Sequence, residues 1–213
     1  MLQKVLVWDA PTRTFHWLQA LSFLGAYLTA ESEKTRDIHV ALGYILFGLI
    51  AFRLLWGFIG TRYAKFSSFL FTPGAIIAYI LSLFKGKSEH FVGHTPVGSV
   101  SIWLLLGLSL VLGVTGVMLQ QKDVVDFLAQ MHGYDSDLVV AIHGYVTDAL
   151  LVMIFLHLAG VFMSSFLHKE NLLRAMITGS KVAESGQGIK CAYNWLALLM
   201  LVIAAAFGYF YLR

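Results

Sequence analysis

Four histidines stand inside apolar runs of this chain, and their spacing groups them in pairs. The stretch IHGYVTDALLVMIFLHLAGVFM, starting at Ile142, carries His143 and His157; His16 lies in TRTFHWLQALSFLGAYLTA, and His39 opens IHVALGYILFGLIAFRLLWG. His143 and His157 are 14 residues apart, nearly four whole turns of helix. They therefore fall within about 40° of one face and about 21 Å apart along the axis. One helix offers an imidazole near each membrane surface, both pointing the same way. His39 matches the depth of His143, and His16 matches that of His157 to within about one helical turn. Two neutral imidazoles facing each other across a bundle are the axial ligands a b-type haem requires. The single cysteine, Cys191, leaves no C-x-x-C-H for covalent haem attachment and no internal disulfide. Two non-covalently bound b haems are the expected cofactors, one per pair.

Two further residues point the same way. Arg53 follows His39 at the same 14-residue spacing, so it shares that face at the depth of His16 and His157. An arginine inside a span needs an anionic partner, and a haem propionate is the expected one. Gly43 lies one turn from His39, where a missing side chain lets a flat macrocycle approach the backbone. Each residue also has a plainer reading. A transmembrane histidine often only hydrogen-bonds a neighbouring helix, and an arginine can snorkel to the interface. Asp148 lies mid-run, about 140° from the His143 face, with no assigned role. His90, His94, His132 and His168 are expected to be solvated or interfacial, with His168 at a helix C-terminus, where a cation suits the dipole.

The elements that must position these side chains are membrane helices. Hydrophobic residues make up 58% of the chain and charged residues 13%, where a soluble domain carries about 25% charged residues. Unbroken apolar runs without alternation read as helices, and about 20 residues cover the hydrocarbon core. Five spans are expected, at Thr14–Ala30, Ile38–Ile59, Val97–Leu119, Val139–Leu167 and Asn194–Leu212, within a single membrane-embedded unit over residues 1–213. Pro11 after Asp9 suits the first turn of the first helix. TPGAIIAYILSLF, residues 72–84, is too short to cross and is expected to be interfacial or re-entrant. No signal-peptide cleavage site is evident, so the first span is expected to remain as an anchor.

Lysine and arginine set the expected orientation. Lys4, Arg13, Arg62, Lys65, Lys85, Lys87, Lys169, Arg174, Lys181 and Lys190 fall on one side. Lys34, Arg36, Lys122 and Arg213 fall on the other, beside Glu31, Glu33, Asp37, Asp123, Asp126, Asp135 and Asp137. This predicts a cytoplasmic N-terminus and a C-terminus facing out. The net charge of +3 is too small to argue for a nucleic-acid partner.

The segments VWDAPTRTFHW, IHVALGYILFGLIAFRLLWG, GHTPVGSVSIW, VTG, IHGYVTDALLVMIFLHLAGV and NLLRAMITGSK together resemble the bacterial cytochrome b561 and nickel-hydrogenase b-type cytochrome family. The similarity runs from about Val7 to Lys181 and leaves the fifth span outside the shorter members. It implies an all-α integral membrane protein: a four-helix haem-binding transmembrane bundle, here with a fifth C-terminal transmembrane helix. Carried residue by residue, the resemblance gives the axial ligands as His16 with His157 and His39 with His143. Some hydrogenase-associated members carry an additional second-span histidine, which this sequence lacks.

Iron held by two protein ligands has no open position, so electron transfer is the expected task. The resemblance implies a respiratory cytochrome of the bacterial inner membrane, lipid-embedded, exchanging electrons between the quinone pool and a periplasmic c-type cytochrome or dehydrogenase subunit. Such a chain would serve as a component of a quinol/quinone oxidoreductase. The acidic residues Asp123, Asp126, Asp135 and Asp137 would steer a basic partner face. The competing classes are a transporter or proton/metal relay using buried histidines without haem, and a haem-free anchor. Both predict a colourless protein.

Overall fold

The computed structural model describes residues 1–86, 89–121 and 136–213. Among these residues seven α-helices run in chain order: α1 (Ala10–Leu28), α2 (Arg36–Ile59), α3 (Pro73–Phe84), α4 (Pro96–Gln120), α5 (Ser136–Leu167), α6 (Leu172–Thr178) and α7 (Asn194–Tyr211). The expected span boundaries agree with these to within a few residues. The chain's three prolines each sit in the first turn of a helix. There the missing N–H costs nothing, and the preceding Asp9, Thr72 or Thr95 caps a free N–H.

Among the described residues, four helical segments are long and apolar enough to cross a membrane: Glu33–Ile59, Pro96–Gln120, Asp137–Leu167 and Asn194–Tyr211. The chain is a multi-pass membrane protein, and the C-terminal helix α7 is one of the four. Helix α1 has the length, 19 residues, but Arg13, His16 and Gln19 make it less apolar. It lies against α2 and α7. Helix α3 has 12 residues, about 18 Å of helix and short of the core thickness.

A ridge of buried apolar side chains joins the helices: Phe15 and Phe23 of α1, Leu46, Leu49 and Ile50 of α2, Leu106 and Leu112 of α4, Leu150 of α5 and Met200 of α7. Helix α5 packs closely along α4, while α1 and α2 pack on each other and α2 on α4. Helix α5 is not among the close partners of α1 or α2. Between α5 and these two helices, His16 pairs with His157 and His39 with His143, alongside the apolar contacts of Leu150.

One feature lies outside the all-helical expectation. Strands β1 (Leu2–Leu6) and β2 (Ser180–Glu184) form an antiparallel ribbon, with Leu2 opposite Glu184 and Leu6 opposite Ser180. Its strands are remote in sequence and joined by no hairpin turn, so no local signal announces it. Gly179 makes the join. Its φ is 80°, and a Cβ there would stand 2.6 Å from the Trp8 carbonyl, so only glycine fits. Val5, Val7, Trp8, Tyr63, Ala175 and Ala183 form a second small core beneath the ribbon. Helix α6 is tied down by bonds from Arg13 Nη1 to the Ile177 carbonyl (2.6 Å) and from Trp17 Nε1 to the Met176 carbonyl (3.4 Å). This end of the bundle is the ribbon end, and the opposite one, where the Tyr44 ring packs against Phe207 and Tyr211, is the far end.

Candidate cofactor site

The structure brings the four histidines together in two couples. His16 of α1 faces His157 of α5 at the ribbon end, with ring centroids 6.5 Å apart. His39 of α2 faces His143 of α5 at the far end, at 6.4 Å. A metal–imidazole bond is about 2.0 Å and a ring nitrogen lies about 1.1 Å from its centroid, so two imidazoles sharing one metal ion stand about 6.2 Å apart. Both couples have that spacing. It is too long for a direct hydrogen bond between the rings.

At the far end, both rings are oriented by the protein. His39 Nδ1 lies 2.8 Å from the Ala26 carbonyl. Because a carbonyl only accepts, Nδ1 carries the proton and Nε2 is free to ligate. His143 Nδ1 lies 2.9 Å from Thr115 Oγ1. The Thr115 hydroxyl donates to the Val111 carbonyl at 2.9 Å, so it accepts from His143 Nδ1–H and sets the same tautomer. A Cβ placed on Gly43 meets nothing within 4 Å, although the residue is half-buried. That leaves open space at this position, one turn from His39.

At the ribbon end the surroundings are charged. Arg53 is 4% exposed, its guanidinium lying 5.0 Å from the Phe66 ring centroid and 5.9 Å from that of Phe69. Its Nη1 is buried without a hydrogen-bond partner among the described residues, as are His16 Nδ1 and His94 Nδ1. Buried donors left unpaired cost about 1–3 kcal/mol each. Arg53 Nη1 is a donor in any state, and the two imidazole nitrogens are donors in their Nδ1–H tautomers; such a set suits carboxylate acceptors, of which a haem carries two. The residues present therefore fit a b haem at both ends.

Asp9 anchors this end. It is 1% exposed; it caps α1 by accepting from Thr12 N at 2.7 Å, and it accepts from Trp56 Nε1 at 3.1 Å and from the Thr61 hydroxyl. It thereby ties the start of the helix bearing His16 to the end of the helix bearing Arg53, and its charge offsets that of Arg53. The sequence signal was present in Asp9-Ala-Pro11, but only as a helix start.

His94 departs from its expected solvated role. Its ring packs 4.7 Å from Trp8 and 4.6 Å from Phe69. Burial first, then the positive groups Arg53 and Lys181, push its imidazole down to about 3. It is neutral and half-buried near Arg53, with its Nδ1 buried. His90 instead shares Glu170 with Lys181, in keeping with an interfacial role. His168 ends α5 in contact with His90; burial, then His90, lowers its pKa. That direction works against the cation expected at the helix C-terminus. Asp148 is exposed on α5, on the side away from the histidines. His132, Asp123, Asp126 and Asp135 lie outside the described residues.

A helical membrane bundle with histidine couples at two levels, each spaced for one metal ion, has the plan of a membrane-bound b-type cytochrome. The comparisons agree: the chain belongs to the prokaryotic cytochrome b561 family, whose profile matches residues 7–179. Similar proteins include several that carry the name "Probable Ni/Fe-hydrogenase B-type cytochrome subunit". That of Rhizobium leguminosarum bv. viciae is 22% identical over 84% of this chain and 90% of its own length. That of Rhodobacter capsulatus is 23% identical over 84% and 81%, and that of Azotobacter vinelandii 26% over 54% and 59%. No solved structure gives a significant match. The protein is a b-type cytochrome and its work is electron transfer.

Proposed function

We propose that this cytochrome holds two b haems without covalent attachment, one between His16 and His157 and one between His39 and His143, and carries electrons across the bacterial inner membrane. The observation that carries this reading is the two histidine couples, 6.5 and 6.4 Å between centroids, at the two ends of one helix. Bound there, haem supplies a one-electron carrier whose iron has no free coordination position.

The chain's own residues do the rest. Ala26 and Thr115 hold the far-end imidazoles in the ligating tautomer. Gly43 leaves room for the macrocycle. Arg53 and His94 offer donors to propionates at the ribbon end, and Asp9 keeps the Arg53 charge from standing alone. The concentration of lysine and arginine at the ribbon end supports a cytoplasmic N-terminus and a periplasmic C-terminus. Pairing of residues 2–6 with 180–184 supports placing both on one side. The two levels suit exchange between the quinone pool and a periplasmic redox partner, as part of a quinol/quinone oxidoreductase. The relatives' names support a hydrogenase-type enzyme as that partner, with a c-type cytochrome as the other option.

The test is a reduced-minus-oxidised optical spectrum of purified protein with haem quantified per chain, in wild type, His143→Ala and His157→Ala. Low-spin b-type bands at two haems per chain, with each substitution removing one, are expected. A colourless protein, or pigment indifferent to both substitutions, sinks the reading and leaves a histidine relay or an anchor.

A further inference from the structure

The ribbon end carries a cleft of about 410 Å³ whose lining includes none of the four paired histidines, nor Arg53. Lys4 of β1, Lys169, Arg174 of α6 and Lys181 of β2 converge on it, and Glu170 is the one carboxylate among the lining residues. That carboxylate is already taken. Lys181, 5% exposed, holds Glu170 Oε2 at 2.8 Å and also donates to the carbonyls of Val92 and Phe91, at 3.0 and 3.4 Å. Lys4, Lys169 and Arg174 are exposed and form no ion pair among the described residues. A fourth lining group, His168, has its Nε2 buried without a partner. Three uncompensated cations around one concave site call for an anion, and a guanidinium beside an ammonium suits a phosphate.

The neighbouring surface narrows the source of that phosphate. Leu173 and Ile177 of α6 stand one turn apart, 53% and 57% exposed, directly beside Arg174. Helix α6 follows a span by only a few residues, so these side chains lie at bilayer level. A polar head would sit in the cleft while its apolar tails run along Leu173 and Ile177. We propose that this cleft is a binding site for the phosphate of an anionic phospholipid, clamped by Lys169 and Arg174 with Lys4 behind them. The site is separate from the haem-binding residues and would seat the ribbon end on the anionic leaflet.

The experiment is native mass spectrometry of the detergent-purified holoprotein titrated with phosphatidylglycerol and, separately, phosphatidylcholine. Phosphatidylglycerol is expected to bind about tenfold more tightly, and Lys169→Ala with Arg174→Ala to remove most of that preference. Haem per chain should not change. The charge-keeping pair Lys169→Arg with Arg174→Lys should retain the preference, which separates loss of charge from misfolding. Lys65→Ala with Lys190→Ala, at the same end but outside the cleft, should retain it too. Equal affinity for the two lipids, or an equal loss in the Lys65 and Lys190 variant, overturns the site. Inorganic phosphate alone reproducing the thermal stabilisation given by phosphatidylglycerol overturns the lipid as its source. Loss of haem in the Lys169 and Arg174 variant with lipid binding intact reassigns these cations to a propionate and also overturns it.

Discussion

The two histidine couples share one spacing and differ in almost everything around it. At the far end, both Nδ1 atoms meet acceptors supplied by the protein, the Ala26 carbonyl and the Thr115 hydroxyl. At the ribbon end, His16 Nδ1 has no hydrogen-bond partner among the described residues, and neither do the neighbouring Arg53 Nη1 and His94 Nδ1. One site is preorganised by neutral hydrogen bonds. The other is an excess of buried donors balanced in part by Asp9. If each couple ligates a haem as proposed, the same ligand pair is held in two ways: by fixing the imidazoles, or by fixing the cofactor's carboxylates. The second couples haem retention to the ion balance of the bundle end.

The largest way to break this contrast is at Asp9. Asp9→Ala removes a helix cap and strands the Trp56 and Thr61 donors, which together cost about 3 kcal/mol or more. The thermal midpoint should fall in detergent, with the His16–His157 haem lost first as absorbance bleaches. Asp9→Asn keeps an equally good cap and isolates the charge; it should lose less stability yet still loosen the ribbon-end haem. Equal behaviour of the two haems in Asp9→Ala would mean that Asp9 serves the whole bundle. Gly43→Leu probes the other end. Filling the space beside His39 costs about 1–3 kcal/mol of overpacking if the macrocycle uses it, so haem per chain should fall toward one. Full occupancy in that variant would remove Gly43 from the site.

How much of this was legible beforehand follows from the range of each interaction. Helix boundaries were readable because apolar runs, Asp9-Ala-Pro11, Thr72-Pro73 and Thr95-Pro96 are local signals. The histidine couples were readable because 14 residues is nearly a whole number of turns, so one helix declares its own geometry. The depth of Arg53 came from the same arithmetic. The ribbon between residues 2–6 and 180–184, the donors that converge on Asp9, and the burial of His94 between Trp8 and Phe69 depend on segments far apart in sequence. No periodicity encodes them. Thr115 stood in plain view within VTG, but its bond to His143 requires knowing how α4 rotates against α5.

Smaller effects sharpen the contrast further. Thr115→Val keeps shape and removes the acceptor for His143 Nδ1, and the loss of a ligand-orienting partner typically costs 10–100-fold in metal affinity. Here the backbone still holds the helix, so about tenfold weaker haem retention at the far end alone is expected, measured by haem transfer to apomyoglobin.

Arg53→Leu should have the smallest effect and the most specific one. A cation favours the reduced state of a nearby redox centre, because reduction adds negative charge. Removing it therefore lowers that centre's potential. One nearby, partly screened charge shifts a one-electron potential by tens of millivolts, on the order of 50 mV. A redox titration of the holoprotein should show one of two components moving down by that amount while the other holds still. Arg53→Lys keeps the charge and should move it much less. If both components shift together, or the one assigned by His143→Ala shifts instead, Arg53 does not act at the ribbon end and the contrast between the two couples is not electrostatic.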